Sequence, residues 1–354
     1  MPKFRENIKK MSPYKPPLEG RREGRYLLLD FNEMTIESSP KVKKALREFA
    51  DSGRIQVYPE YGDLTEKIAQ YAGVESSQVL VTNGSDQAID IIFRAFIEKS
   101  DKIIIPSPSF AMFHQIAAIQ GAEILKPLYR ENLSFPIKEV LELIDSNIKL
   151  LVLCNPNNPT GTAISRGDVL KILKKAKEKD IAVLHDEAYF EFSGITAKDF
   201  ISEYDNLFIT RTFSKQFGIA SVRAGYIISQ EKNIQELLKI RGPYDLNMFA
   251  KTAIELVLED AEYARNYIRE VMEQSKPKLK EFFIKNKIKF WESAANFFLV
   301  KPPDQKKAFE VLKAEGILVR PREGENIEGT IRVSVGTLQD TERFIKAYLK
   351  MLEG

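Results

Sequence analysis

From about residue 41 to residue 275, short continuous apolar runs alternate with stretches whose apolar residues recur every three or four positions. Residues 77–82, 102–105, 123–126, 149–153, 181–185 and 207–210 read as strands. Residues 41–50 (opened by Pro40 and followed by Gly53), 86–97, 110–120 and 166–178 carry helical spacing. Strands apolar on both faces, separated by amphipathic helices, predict a mostly parallel sheet covered on both sides. Residues 231–240 and 247 to about 275 continue as helix, with breaks expected at Gly242-Pro243 and at Pro277.

Beyond residue 275 the pattern changes to α+β: helices at 278–286, 303–315 and 340–352, and strands at 289–291, 296–300, 317–320 and 330–335. This predicts an α/β protein with a large sheet domain over 41–274 and a smaller α+β domain over 275–354. Residues 1–25, in which Pro13, Pro16 and Pro17 bar a regular helix, read as an extended arm that must dock on something to be ordered, and residues 1–40 as that arm with the entry to the small domain.

The 354 residues hold 53 basic and 50 acidic side chains, so charge is mixed, which argues against nucleic acid as a main partner. No apolar run approaches the roughly 20 residues that span a bilayer, and the basic start of the chain lacks the apolar stretch of a signal peptide. The expected compartment is the cytoplasm. His114, His185 and Cys154 show no metal-site spacing, so no metal is expected, and Cys154 reads as a buried, inert thiol.

The chemistry concentrates at strand ends. After the strand at 207–210 comes Arg211-Thr-Phe-Ser-Lys215, with Arg223 eight residues past the lysine. A lysine among hydroxyls, followed by an arginine, suits an aldehyde cofactor that carries a phosphate: Lys215 for the aldehyde, Ser214 and Arg223 for the phosphate. Asp186 ends another strand and suits a protonated ring nitrogen, with Tyr189 in reach of a ring hydroxyl; a strand-ending Asp and a capping turn explain the same residues. Asn158 lies in a loop stiffened by two prolines and Gly161, where its amide can donate to a phenolate, although Asn-Pro-Thr-Gly is also simply a good turn. Gly84, Ser85 and Asp86 open a helix, where exposed N–H groups bind phosphate. Phe110 can stack on a flat ring or belong to the core. Arg320 and Arg332 close the last strands and suit a carboxylate or phosphate, whereas Arg322 reads as a surface salt-bridging residue.

Taken in order, Asn83-Gly-Ser-Asp86, Asn155-Pro-Asn-Asn-Pro-Thr-Gly161, Asp186-Glu-Ala-Tyr189 and Thr212-Phe-Ser-Lys215…Arg223 resemble the fold-type I, pyridoxal 5′-phosphate-dependent aminotransferases, and within them the histidinol-phosphate aminotransferase branch. The likeness runs from about Tyr14 to the C-terminus. It implies that Lys215 is the Schiff-base lysine and proton shuttle, and that Asp186 pairs with the pyridine nitrogen. Tyr189 and Asn158 would hold the ring oxygen, Phe110 would stack, and Gly84, Ser85, Asp86, Ser214 and Arg223 would surround the phosphate. It further implies a homodimer in which Tyr58 reaches the neighbouring subunit's phosphate, and a substrate pocket lined by Tyr14, Asn32, Arg320 and Arg332.

The implied reaction is histidinol-phosphate:2-oxoglutarate transamination, with an amino donor and a 2-oxo acid acceptor as the partners. Aromatic amino acid or prephenate transamination, decarboxylation of a phosphorylated amino acid, and a non-catalytic cofactor-binding regulator are the alternatives. One departure bears on substrate: where relatives read Asn-Glu-Asn-Pro-Tyr/Phe-Gly, this chain has Asn32-Glu33-Met34-Thr35-Ile36-Glu37. In the family these residues lie near the substrate pocket.

Overall fold

The computed structural model describes residues 2–14, 18, 21 and 26–353. Thirteen strands are numbered in chain order: β1 Leu27–Leu28, β2 Val79–Thr82, β3 Lys102–Ile104, β4 Glu123–Leu125, β5 Ile148–Cys154, β6 Ala182–Asp186, β7 Leu207–Thr212, β8 Gly225–Ile228, β9 Lys289–Trp291, β10 Phe297–Lys301, β11 Ile317–Leu318, β12 Arg320–Arg322 and β13 Thr330–Ser334. Seven of them form one sheet in the order β2-β8-β7-β6-β5-β3-β4. Every pairing from β7 to β4 is parallel, and β8 alone runs against its two neighbours. The expected α/β architecture with a mostly parallel sheet is therefore present.

Alternation along β5 shows why the strands are apolar throughout. Leu151 and Leu153 pack into one core with Val183 and Ile209, while Leu150, Val152 and Cys154 pack into another with Leu184 and Phe208. Helices cover both faces, so only positions near the strand starts, such as Lys102, Glu123 and Lys149, meet water.

A second, antiparallel sheet runs β12-β13-β10-β9 over its own core, which includes Phe298, Val300, Ile331 and Val333. The short parallel pair β1-β11 ties the chain's start to this part of the molecule. In the N-terminal segment, beside a short helix at Glu6–Lys9, Arg5 and Asn7 donate to the carbonyls of Ile119 and Ala118. Those carbonyls lie in the last turn of the helix Ala111–Gln120, where the Gly121 N–H also bonds that of Ala118.

Pro277 does not break the chain's helix. Ala261–Arg269 runs through a π-helical turn at Glu270–Ser275 into Lys276–Lys285. The wider turn accommodates a residue that lacks an N–H and crowds the preceding carbonyls. The long helical stretch is interrupted instead at Asp260, between Met248–Glu259 and Ala261–Arg269. The Asp260 side chain is held there by Ser39 and Lys41. Periodicity also left the helices Leu64–Ala72 and Ile137–Leu143 and the strands β1 and β8 unassigned.

Candidate active site

The carboxyl ends of β5, β6 and β7 meet at one pocket, where open α/β sheets bind their ligands. Register puts Cys154 opposite Asp186, and Asp186 opposite Thr210. This row explains the aspartate's partners: Thr210 Oγ1 donates to one carboxylate oxygen at 2.8 Å, and the Cys154 thiol points at the other from 3.7 Å. Burial pushes the Asp186 carboxyl up to about 6, against the lowering effect of these donors. Such a carboxylate is poised to gain from a cationic ring nitrogen.

Lys215 follows β7 across the pocket. Its ammonium donates to the Phe31 carbonyl at 2.9 Å. Burial, followed by the nearby Arg332 guanidinium, brings the amine down to about 8. A substantial neutral fraction therefore exists near physiological pH, which a nucleophilic amine needs.

The Asn155–Gly161 loop is pinned at two asparagines. Asn155 exchanges hydrogen bonds with the backbone of Ile164, and Asn157 bonds Pro108 and Ser109 in the loop that carries Phe110. Asn158 is left to face the pocket. Its Oδ1 accepts from Arg332 at 2.6 Å, which turns its amide donors toward the cavity. Tyr189 is oriented likewise: its hydroxyl accepts from Asn32 at 2.9 Å, and burial holds its proton on up to about 12, so it stays a donor.

The opposite wall is a phosphate-sized cradle. Gly84 opens the helix Gly84–Phe96, whose start no side chain caps, so its leading N–H groups remain available. A Cβ on Gly84, at φ +76°, would lie 2.7 Å from Arg223 Nη2, and one on Gly225 would lie 2.6 Å from the Ser85 nitrogen. Only glycine at both positions lets the Arg223 turn approach the helix so closely. Arg223 pairs with Asp86 at 2.9 Å and reaches Ser214 Oγ at 3.4 Å. The Asp86 carboxylate thus holds the arginine in place.

Ser85, Asp86, Phe110, Asn158, Asp186, Tyr189, Ser214, Lys215 and Arg223 all line this pocket, which encloses about 530 Å³ of empty space including its mouth. Cys154, Ala188 and Thr212 line it as well, although nothing in the sequence singled them out for a ligand. The set fits a flat ring with a basic nitrogen, a phenolic oxygen, an aldehyde and a phosphate.

A second cavity continues from the first past Lys215, Asn158 and Tyr189 to Tyr14, Phe31, Arg320, Arg322 and Arg332. Arg322 is not the surface salt-bridging residue expected. It is mostly buried, faces this cavity and forms no ion pair among the described residues. Asn32 is fully buried and bonded to Tyr189 and Ser334, so it supports the wall without lining either cavity. Met34–Glu37 border a neighbouring groove with Gly218 and Ser221 instead of the arginine cavity. Tyr58 is 73% exposed, stacks on Tyr244, and lines neither cavity of its own chain.

Behind the pocket lies a buried network that sequence reading missed. Glu187 accepts two hydrogen bonds from Arg211 at 2.8 and 2.9 Å, and others from His185, Thr196 and the Ala197 backbone. These partners outweigh burial and bring its carboxyl down to about 2. The network braces the segment between Asp186 and Tyr189.

Sheet order, pocket position and an amine at a strand end describe the class of open α/β transferases that hold a small cofactor at the sheet's carboxyl edge. The chain matches the family described as aminotransferase class I and II over residues 25–347, and it belongs to that family. The histidinol-phosphate aminotransferase of Thermoanaerobacter sp. (strain X514) is 35% identical over 92% of both chains. That of Geobacillus sp. (strain WCH70) is 33% identical over 99% of this chain and 98% of its own. Among solved structures, the histidinol-phosphate aminotransferase of Sinorhizobium meliloti, in complex with pyridoxal-5′-phosphate, shares the fold at a TM-score of 0.89 and 21% identity, over 100% of this chain and 98% of the other.

Proposed function

We propose that this chain is a pyridoxal 5′-phosphate-dependent aminotransferase that moves an amino group from histidinol phosphate to 2-oxoglutarate. The observation that carries the reading is the joining of two cavities at Lys215: a cofactor-shaped one ending at Asp186 and Arg223, and an arginine-lined one suited to anionic substrates. The names of the relatives that align over nearly the whole chain support the substrate.

When bound, the cofactor supplies an aldehyde that takes the amino group and a protonated ring that accepts the electron pair left at the donor's Cα. Asp186 keeps the ring nitrogen protonated, Asn158 and Tyr189 donate to the ring oxygen, and Phe110 covers one ring face. Ser85, Ser214, Arg223 and the helix N–H groups hold the phosphate. Lys215 Nζ would bind the aldehyde and, when neutral, would serve as the base that takes and returns the proton of the donor's Cα. Tyr14, Arg320 and Arg332 receive the substrate's anionic groups. The active form is a homodimer in which Tyr58, exposed on its own chain, reaches the phosphate of the neighbouring site. This matches its exposure beside Tyr244, Ile55 and Val57, an apolar surface cluster.

A half-reaction panel tests the assignment. The enzyme is mixed with histidinol phosphate, phenylalanine, tyrosine or glutamate, and loss of the aldehyde-form absorbance is followed. Fast conversion by histidinol phosphate and by glutamate is expected. Conversion by the aromatic amino acids with none by histidinol phosphate overturns the substrate and favours an aromatic aminotransferase.

A further inference from the structure

β12 and β13 are antiparallel, with Arg320 directly opposite Arg332 and Arg322 opposite Thr330. Residues 320 and 322 are two apart, so both point to the same face of the strand, the face that Arg332 shares from the next one. Three guanidiniums thus converge on one cavity. Like charges opposite one another destabilise a sheet, and burial of unpaired cations adds to that cost. Among the described residues none of the three forms an ion pair, and the remaining walls are Tyr14, Phe31, Phe110, Ala111, Asn158, Tyr189 and Lys215, with no carboxylate.

Their hydrogen bonding divides them. Arg332 is committed inward at its two terminal nitrogens, which donate to Asn158 Oδ1 and to the Asp30 carbonyl, and only its buried Nε is left without a partner. Arg320 lies against the Phe31 ring at 5.6 Å, and Arg322 Nε is buried without a partner. The two β12 guanidiniums therefore keep their donors for something that enters the cavity. A single carboxylate offers two oxygens and one charge, which one guanidinium satisfies. A phosphate monoester offers three oxygens and, above its second ionisation near pH 6, almost two charges.

We propose that Arg322 is a specificity-determining residue, which with Arg320 forms a two-guanidinium subsite for the dianionic phosphate monoester of the substrate and selects it over monoanionic and uncharged side chains. This deepens, and rests on, the reading of the site as one for a phosphorylated amino donor. Arg320 alone would hold a phosphate or a carboxylate without distinguishing them. The added charge of Arg322 is what makes the second negative charge favourable.

The test uses the holoenzyme, whose own phosphate cradle is filled by cofactor, and two probes of similar shape: propyl phosphate, a dianion at pH 8, and propanesulfonate, a monoanion. Equilibrium binding of each is measured by calorimetry for wild type, Arg322→Gln and Arg322→Lys. Wild type is expected to prefer the phosphate, with affinity falling as the pH drops through about 6. Arg322→Gln should lower phosphate affinity at least about tenfold and sulfonate affinity much less, since the lost contact is charge-assisted. Arg322→Lys should fall between the two, and it carries the test alone if the Gln variant does not fold.

A wild type with no preference for phosphate overturns the proposal, as does a phosphate-to-sulfonate ratio within about twofold of wild type in either variant. A preserved preference together with no conversion of histidinol phosphate removes that substrate and leaves the subsite. Conversion of histidinol phosphate with no effect of Arg322 removes the subsite alone.

Discussion

Replacing Lys215 by Met should stabilise the cofactor-free protein, and only below a definite pH. Burial and Arg332 bring the amine from an ordinary 10.5 down to about 8. Below pH 8 the lysine is charged in both folded and unfolded chains, and the fold bears the whole cost of burying that charge. Between pH 8 and 10.5 the folded amine loses its proton while the unfolded one keeps it, so the cost fades; above 10.5 it is gone. A shift of that size corresponds to about 3 kcal/mol at pH 7. Met loses the hydrogen bond to the Phe31 carbonyl, which subtracts about 1 kcal/mol. The net expectation is a gain of about 2 kcal/mol at pH 7 that shrinks to nothing or reverses near pH 10.5. Urea unfolding of both cofactor-free proteins at equal concentration and at two pH values measures it, since titrations common to both cancel in the difference. A variant less stable than wild type at pH 7, or a gain independent of pH, would mean that the buried charge of Lys215 does not cost the fold stability.

Three further outcomes follow from the same geometry. Uptake of pyridoxal 5′-phosphate by cofactor-free protein, followed by absorbance, should accelerate with pH up to about 8 and then level, and Arg332→Gln should move that shoulder upward by removing a neighbouring cation. Gly84→Ala would bring a Cβ 2.7 Å from Arg223 Nη2 at a positive φ; it should cost about 1–2 kcal/mol of stability and loosen pyridoxal 5′-phosphate at least about tenfold. Pyridoxal without the phosphate should be little affected, as equilibrium dialysis of the two compounds would show. Glu187→Gln strands the buried Arg211 guanidinium and should cost about 3–5 kcal/mol in chemical denaturation, most of it present at pH 7 because the wild-type carboxyl stays ionised down to about 2.

Much of the fold is legible in the sequence because the middles of β5, β6 and β7 are buried on both faces and carry short unbroken apolar runs. β8 is not, since its four residues run straight on from the Arg223 turn with no boundary of their own. The Pro277 helix escapes for a different reason: a π turn is a backbone adjustment that hydrophobic spacing does not encode. At the site, Lys215, Asp186, Asn158 and Arg223 stand out because each ends or follows a strand in a loop rich in Gly, Pro or hydroxyls. Cys154 and Thr210 do not, because their role beside Asp186 comes from the register of three strands far apart in sequence. Arg322 misleads for a related reason. Spacing two residues from Arg320 shows that they share a face, but only the pairing of β12 with β13 shows that the face is a cavity.

The whole site is arranged for Lys215 to carry the cofactor. Borohydride reduction of the holoenzyme, followed by proteolysis and mass spectrometry, tests it most directly. A phosphopyridoxyl mass increment is expected on Lys215 in the peptide that spans Phe213 to Arg223, and none in the Lys215→Ala variant. The same increment on another lysine, or its persistence in Lys215→Ala, would contradict it.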